Sequence, residues 1–191
     1  MTPVGLLGGT FDPVHNAHLA MARAALRALP LAKVVFVPTG DNTGTAAYRR
    51  PAIASPAHRL AMLKLATAPE PRFEIDPREL SPGASGYTAD TLAQLHDELG
   101  PRVPLYLLMG ADQYAKLGTW HRPDEVRRLA RLAVFARPGV PFDAGGVEVV
   151  PMDPLAVSGS DIRARVKRGE DIAGLVPPPV QNYIRRERLY S

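Results

Sequence analysis

Short apolar runs alternate along the chain with longer segments whose apolar residues recur at three- and four-residue steps. The runs have the length of buried strands, whereas the recurring steps indicate helices with one apolar face. Strands are predicted at residues 4–7, 33–37, 73–76, 103–109, 132–135 and 147–150. Helices are predicted to end near 29, to cover about 56–66, 87–99, 124–130, 160–168 and 180–188, and to begin again after 110–112.

The spacing also predicts which side of each helix faces the core. The apolar faces are Leu19, Ala22, Leu26 and Leu29 in the first helix, Leu60, Leu63 and Ala66 in the second, and Leu92, Leu95 and Leu99 in the third. Strands that alternate with helices and are apolar throughout predict an open, mostly parallel, Rossmann-like α/β sheet with helices on both faces. We expect one domain over residues 1–191, with a C-terminal helical part at about 158–191. In such a sheet, ligands bind beyond the carboxyl ends of the strands.

The composition fits a globular domain with a sizeable core. The chain has 191 residues, of which 46% are hydrophobic and 22% charged. It contains no cysteine, which excludes a disulfide framework and thiolate chemistry. No N-terminal signal pattern is present, and no apolar run approaches the roughly 20 residues of a membrane span. The expected location is cytoplasmic, without a membrane partner.

The net charge of +4 comes mainly from arginine. A basic face can mark a nucleic-acid site, but no ladder of aromatic residues is interleaved with these arginines. Phosphorylated small molecules explain the modest excess equally well, so no nucleic-acid partner is expected. Whether the chain forms a homo-oligomer stays open, because exposed and interface helices look alike in the sequence. Residues 39–55 are rich in turn formers, and we expect a mobile surface loop there.

The segment that joins the first strand to the first helix has the layout of an anion site. Gly8 and Gly9 let backbone N–H groups approach an anion, and the start of the helix directs its N–H groups and positive dipole end there. His15 and His18 fall on one face of the first helical turn. The alternatives are a surface histidine beside a helix-capping one, or a metal pair. A metal pair lacks further ligands, since Asp12 is the only close carboxylate.

Residues 8–18, Gly-Gly-Thr-Phe-Asp-Pro-Val-His-Asn-Ala-His, closely resemble the G-[TS]-F-D-P-x-H-x-G-H signature of the nucleotidyltransferase superfamily. The one departure is Ala17, which stands where the family usually has glycine. The resemblance implies a sheet of the nucleotidyltransferase type and a triphosphate site. The ATP-binding residues that it implies in this segment are Gly8, Gly9, Thr10, Phe11, His15 and His18.

A second stretch, residues 157–163, places two hydroxyls before a predicted helix and an arginine on its first turn. A simple helix N-cap at Ser158 or Ser160 is the alternative interpretation. The stretch is similar to the I-S-S-T-x-I-R motif of the same superfamily, with Gly159 in place of the second serine. The resemblance implies ATP contacts from Ser158, Ser160, Ile162 and Arg163, the last through charge-assisted bonds to phosphate oxygens.

Two further stretches resemble bacterial nicotinate-mononucleotide adenylyltransferases. Residues 86–92, Gly-Tyr-Thr-Ala-Asp-Thr-Leu, are similar to an S-Y-T-x-x-T-L segment that recognises the pyridine carboxylate, with a plain helix cap as the alternative. Residues 110–120 resemble a G-A-D-x(7)-W segment, with an ordinary packing role for the tryptophan as the alternative. These resemblances imply nucleotide binding by Gly110 and Asp112, and substrate binding by Tyr87, Thr88 and Trp120. The family also carries an Arg-Pro pair like Arg137-Pro138, which follows a predicted strand here, and this implies substrate binding by Arg137. Trp120 would stack on the nicotinate ring.

The end of the chain resembles the family, whereas one loop departs from it. Residues 180–190 match a closing P-x-x-V-x-x-Y-I-x-x-x-x-L-Y pattern, which we interpret as packing only. The family's P-x-x-x-P-P-H-K segment, which supplies a lysine beside the phosphates, is replaced here by residues 38–50. Arg49 is the expected substitute for that lysine, with Arg50 as the alternative. Arginine and lysine are not interchangeable at a phosphate, because they bind it with different geometry.

Together the ordered motifs identify the chain as a member of the nicotinate-nucleotide adenylyltransferase family. The resemblance implies adenylyl transfer from ATP to nicotinate mononucleotide in NAD biosynthesis, giving deamido-NAD and pyrophosphate. His15, His18 and Arg163 would be catalytic, and Mg²⁺ would enter bound to ATP, held mostly by phosphoryl oxygens and water. A phosphopantetheine adenylyltransferase-like enzyme and a non-catalytic nucleotide-binding regulatory module are the alternatives. The choice between nicotinate and nicotinamide mononucleotide stays open, because Gly86 alters the carboxylate-binding segment.

Overall fold

The structure is a computed structural model, which describes residues 2–40, 52–136, 144–153 and 155–191. The strands are Val4–Gly9 (β1), Lys33–Pro38 (β2), Phe73–Ile75 (β3), Leu105–Gly110 (β4), Arg131–Phe135 (β5) and Glu148–Val150 (β6). The α-helices are Asn16–Ala28 (α1), Pro56–Thr67 (α2), Thr88–Leu99 (α3), Ala111–Tyr114 (α4), Pro123–Leu129 (α5), Gly159–Lys167 (α6) and Pro178–Arg186 (α7). Short 3₁₀ turns at Arg78–Leu80 and Leu117–Thr119 were not apparent from the sequence.

The strands form one parallel sheet in the order β3-β2-β1-β4-β5-β6. The order of the strands reverses between β1 and β4, and a cleft for ligands opens at such a switch point, beyond the carboxyl ends of the strands. The prediction of an open, Rossmann-like α/β sheet is confirmed. The predicted anion site lies directly after β1, at this switch point.

Two apolar cores cover the two faces of the sheet. Successive residues of a strand point to opposite faces, so Leu7 belongs to one core and Leu6 to the other. Helices α1, α2, α6 and α7 pack in the first core, whereas α3 and α5 pack in the second. The predicted helices on both faces are therefore present, and the strands are apolar throughout because both faces are buried.

Two predicted helix faces are shifted in the structure. The buried side of α2 carries Arg59 and Met62 beside Leu63, while Leu60 is only half-buried. In α3, Leu99 at the last position is 37% exposed because the helix ends there, at Gly100. The 3.6-residue period gave the existence of both helices, but not the rotation of α2 against the sheet.

The predicted end of the first strand at residue 7 is wrong. Gly8 and Gly9 continue β1 and pair with β2, and the chain turns later, at Asp12–Pro13. A side chain at Gly9 would lie 3.0 Å from the Phe11 ring, so the absence of a side chain there allows close packing. At Gly8 the corresponding space is open, which leaves room for a ligand against the strand.

Part of the expected mobile loop, residues 41–51, lies outside the described residues. Within the described ranges, no helix combines the length and the apolar character that crossing a membrane would require.

Candidate active site

The segment between β1 and α1 is packed against the core and shaped by an unusual backbone. Phe11 adopts a left-handed conformation with φ at 50°, which an L-residue avoids unless its surroundings hold it there. Its ring is buried and meets the His18 ring edge-on, with 4.9 Å between the ring centroids. The segment is therefore a fixed part of the fold, and it holds the first turn of α1 in place.

His15 and His18 are brought together as predicted. Their rings stack with 3.7 Å between the centroids, and the Nδ1 atom of His18 accepts a hydrogen bond from the backbone N–H of His15. The Nδ1 atom of His15 is buried and has no hydrogen-bond partner among the described residues. A buried polar atom without a partner is costly, so His15 is a candidate for contact with a bound group.

Both histidines are neutral at physiological pH. Burial lowers the pKa of His15 to about 4. Burial and the neighbouring His15 lower the pKa of His18 well below its usual value. Two stacked imidazoles in a partly closed site cannot both carry charge unless an anion compensates for it.

Acidification is expected to destabilise the ligand-free protein between pH 6.5 and about 4. In this window the unfolded chain binds a proton on His15 that the folded chain excludes, so the free energy of unfolding falls as the pH falls. The slope approaches roughly 1.4 kcal/mol per pH unit for each such histidine. Denaturant titrations of the wild type and of His15→Asn measure it, and the variant should lose less stability. Identical pH dependence in both proteins would contradict the prediction.

The first helical turn is less open to an anion than predicted. The backbone N–H of Asn16 donates to the Leu175 carbonyl at 2.9 Å, and its side-chain amide donates to the Gly174 carbonyl at 2.7 Å. The connection between α6 and α7 thus occupies one of the N–H groups that the sequence assigned to the ligand. An anion there would rely more on the histidines than on the helix end.

The carboxylate of Asp12 links three parts of the chain. It accepts hydrogen bonds from the backbone N–H of Ile53 at 2.7 Å and of Ala54 at 3.1 Å. It also accepts a hydrogen bond from the hydroxyl of Tyr190 at 2.6 Å. The sequence indicated Asp12 only as a candidate metal ligand, because these partners lie far from it along the chain.

Arg59 is a buried anchor that was not predicted from the sequence. This side chain of α2 has no solvent exposure, and its guanidinium donates to the carbonyls of Thr10 at 2.9 Å, Thr39 at 2.8 Å and Ala54 at 3.3 Å. It thereby ties together the segments that follow β1 and β2. One signal was available, since Arg59 occupies a position of the apolar face that continues through Met62, Leu63 and Ala66.

The stretch before α6 lies against the same segment. Arg163 donates from Nη1 to the carbonyl of Asp12 at 2.5 Å and lies 3.8 Å from its carboxylate. A side chain at Gly159, where the family has serine, would lie 3.0 Å from that carbonyl, so the glycine relieves a tight contact. The structure therefore brings Arg163 beside the histidine-bearing segment, as the motifs require.

Ser158 and Ile162 of the same stretch also stabilise the fold. Ser158 is the N-cap of α6 and accepts from the backbone N–H of Asp161 at 3.2 Å, while its hydroxyl lies 3.1 Å from that of Ser160. Ile162 is buried in the first core, and its backbone N–H donates to the Ser158 carbonyl. Any contact of Ile162 with a nucleotide would have to come from the rest of its backbone.

The proposed acceptor residues form a second group, on the side of the sheet covered by α3 and α5. The Tyr87 ring stacks on His121 with 3.9 Å between the centroids, and Thr88 begins α3. Arg122 pairs with Asp90 of α3, which fixes the two segments against each other. Trp120 is half-buried and packs against the second core.

Backbone geometry explains the departure at Gly86. Its φ is 66°, a left-handed conformation in which serine or threonine would be strained. Gly110 ends β4 with open space where a side chain would point, and Asp112 lies in the first turn of α4. Both positions are at the switch point of the sheet. Arg49, Arg50 and Arg137 lie outside the described residues.

The C-terminal segment, which we interpret from its sequence as packing only, also makes two polar contacts. The Tyr183 hydroxyl lies 2.9 Å from Nδ1 of His58 in α2, and the Tyr190 hydroxyl reaches Asp12. The segment packs in the first core and also contributes a polar contact to the candidate site. Its sequence pattern carried the apolar periodicity, but not the destination of the two hydroxyls.

A cleft of about 840 Å³ lies at the other end of the strands from the candidate site, near the starts of β4, β5 and β6. Its lining includes Arg102, Arg127, Arg128 and Arg131. Arg127 and Arg128 belong to the last turn of α5, where positive charge compensates the carbonyl end of a helix. The candidate active site lies at the carboxyl ends of the strands instead, where the histidines and Arg163 gather.

Among the described residues, no group of three or more histidine, aspartate or glutamate side chains is arranged to hold a metal ion.

The model of the cytidylyltransferase-like family matches residues 6–165. A probable nicotinate-nucleotide adenylyltransferase of Laribacter hongkongensis is 42% identical to the chain, covering 98% of the chain and 94% of the relative. A probable nicotinate-nucleotide adenylyltransferase of Bordetella petrii is 41% identical over the full length of both chains.

Solved structures resemble the fold at lower sequence identity. The nicotinic acid mononucleotide adenylyltransferase of Plasmodium falciparum complexed with NaAD superposes with a TM-score of 0.82 at 17% identity, covering 100% of the chain and 98% of that structure. The same protein complexed with APC gives a TM-score of 0.78 at 18% identity and the same coverage.

Proposed function

Because the chain belongs to the cytidylyltransferase-like family and, within it, to the nicotinate-nucleotide adenylyltransferases, we propose that it transfers the adenylyl group of ATP to nicotinate mononucleotide. The products are deamido-NAD and pyrophosphate, in a step of NAD biosynthesis. One observation supports this proposal above the others. The stacked His15–His18 pair and the Arg163 guanidinium meet around the segment that follows β1, at the switch point of the sheet.

In this reaction an oxygen of the substrate's 5′-phosphate attacks the α-phosphorus of ATP. The bond from that phosphorus to the bridging oxygen breaks, and pyrophosphate leaves with the electron pair. A phosphate is an adequate nucleophile by itself, so the protein needs to supply position and charge stabilisation but no covalent intermediate. The residues present at the site are of the kind that supply both.

The two histidines would contact the phosphates of ATP, with His18 at the α-phosphate and bridging oxygens and His15 beside it. Since their pKa values are lowered in the ligand-free protein, the approach of the triphosphate would raise them again. Proton uptake by an imidazole would then place a positive charge where negative charge develops. Thr10, together with Gly8 and Gly9 at the end of β1, would line the same phosphates.

Arg163 would hold the leaving pyrophosphate, together with the hydroxyls of Ser158 and Ser160. Its Nη1 is already fixed on the Asp12 carbonyl, so the guanidinium is oriented before the nucleotide arrives. Mg²⁺ would enter with ATP and neutralise charge on the β- and γ-phosphates. Gly110 and Asp112 would accommodate the ribose, and Arg49 and Arg137 remain candidates for phosphate contacts.

The acceptor would bind beside the N-terminal ends of α3 and α5, where Tyr87 and Trp120 lie. The first turn of α3, with Tyr87 and Thr88, presents N–H groups and a positive dipole end to a carboxylate. The half-buried Trp120 would stack on the pyridine ring. Recognition of a carboxylate in this way favours nicotinate over nicotinamide mononucleotide.

A pyrophosphate-release assay with ATP, Mg²⁺ and either nicotinate or nicotinamide mononucleotide tests the proposal. We expect turnover with both nucleotides and a higher kcat/KM for the acid. Turnover with phosphopantetheine in their place would favour a phosphopantetheine adenylyltransferase-like activity. Binding of ATP without pyrophosphate release would point to a non-catalytic nucleotide-binding module.

Replacement of Trp120 by alanine is expected to raise KM for nicotinate mononucleotide by about tenfold and to leave KM for ATP within twofold. Loss of one aromatic stacking partner has an effect of this size. Tyr114→Ala is the matched control, because Tyr114 packs in the same core. If both variants change both KM values alike, Trp120 has only a packing role.

A further inference from the structure

We propose that Tyr190 is a positioning residue for the phosphate site and acts through the carboxylate of Asp12. This inference rests on the proposed function, because it assigns a role in the adenylyl-transfer reaction. Asp12 lies between the residues proposed to bind the phosphates, Thr10 on one side and His15 on the other. Its position therefore affects both.

The contact between Tyr190 and Asp12 is short and partly buried. The phenolic hydroxyl donates to Oδ1 at 2.6 Å, and the Asp12 side chain is buried. Burial and this hydrogen bond raise the pKa of the Tyr190 hydroxyl, so it remains a donor at every working pH. A hydrogen bond to a buried carboxylate is among the strong ones in proteins.

The chain is bent in order to make this contact. Arg188 and Tyr190 both adopt left-handed backbone conformations, with φ at 52° and 67°. Such conformations are unfavourable for residues other than glycine and persist only where surrounding contacts hold them. The bend turns the segment after α7 back onto the first core and directs the Tyr190 hydroxyl at Asp12.

Four groups that donate hydrogen bonds or carry positive charge surround the Asp12 carboxylate. Ile53 and Ala54 donate backbone N–H groups, Tyr190 donates its hydroxyl, and Arg163 lies 3.8 Å away. The carboxylate therefore joins the end of the 52–54 segment, the C-terminal segment and the arginine of α6. Tyr190 is the one of these four donors that follows α7. Without its hydroxyl, Asp12 would lose its contact with the C-terminal segment.

Tyr190→Phe tests the proposal, because it keeps the ring and removes only the hydroxyl. We expect kcat to fall about tenfold, as loss of a hydrogen bond to a charged group produces, while KM for nicotinate mononucleotide stays within twofold. Tyr183→Phe is the matched control. It removes a tyrosine hydroxyl of α7 that contacts His58, away from Asp12, so its kcat should stay near that of the wild type.

A double-variant comparison separates positioning from general stability. If Tyr190 acts through Asp12, adding Tyr190→Phe to Asp12→Asn should change kcat less than twofold. A purely structural role would instead lower the melting temperature of the Tyr190 and Tyr183 variants alike and leave kcat unchanged. Equal kcat values for Tyr190→Phe and the wild type, or the full loss again in the Asp12→Asn background, would overturn the proposal. Absence of turnover in the wild type would refute the proposed function itself.

Discussion

The His18→Ala variant is expected to lose about 10²–10³-fold in kcat while retaining its fold. This is what removal of one preorganised hydrogen-bond donor from a transition-state site costs. His18 lies in the first turn of α1, stacked on His15 and against the Phe11 ring, so its position is set before the substrate binds. Steady-state pyrophosphate release under saturating ATP and nicotinate mononucleotide measures the effect.

Two further variants make the His18 result specific. His18→Asn keeps a side-chain acceptor for the backbone N–H of His15, so it separates lost catalysis from lost helix capping. We expect its kcat to be as low as that of His18→Ala. His96→Ala is the control, because His96 contacts the Leu129 carbonyl on the α3–α5 side of the sheet. Turnover of His18→Ala close to that of the wild type would remove this histidine from the mechanism.

The largest effect on stability is expected for Arg59→Met. The substitution leaves the carbonyls of Thr10, Thr39 and Ala54 without their guanidinium donor in a buried site. Buried polar groups without partners cost about 1–3 kcal/mol each, so the free energy of unfolding should fall by about 3–5 kcal/mol. For a chain of this size the melting temperature would drop on the order of 10 °C.

The control for Arg59 is Arg23→Met. Arg23 pairs with Glu70 at 2.7 Å, but its side chain is 44% exposed, and exposed pairs contribute at most about 1 kcal/mol. Calorimetry and denaturant titration of both variants give the comparison. If Arg59→Met is no less stable than Arg23→Met, the three carbonyls have found other partners, and Arg59 is not the anchor that the contacts indicate.

The stability and the chemistry of this site depend on the same contacts. Arg59 holds the backbone that follows β1 at Thr10, and Arg163 holds it at Asp12. His15 and His18, which are proposed to contact phosphate, follow these two anchored residues along the chain. We therefore expect the Arg59 variant to lose turnover as well as stability, since the Thr10 carbonyl that it releases belongs to the candidate site.

The sequence by itself determined the elements of the sheet and the identity of the site's central segment. Apolar runs gave the strands and three- and four-residue steps gave the helices, because these patterns follow from backbone geometry alone. The motif at residues 8–18 was also recognisable, since its glycines and histidines act within one short segment. The family that it indicated agrees with the relatives that cover the whole chain.

Only the tertiary structure decided how that segment is held. The hydroxyl of Tyr190 meets Asp12 across 178 positions, and Arg59 meets Thr10 across 49. The rotation of α2 that buries Arg59, the stack of Tyr87 on His121 and the tight fit at Gly159 likewise arise from distant segments. A local pattern determines which element forms, because that depends on neighbouring residues. The hydrogen-bond partners of buried polar groups depend on how the elements pack. They therefore cannot be predicted from a local sequence pattern.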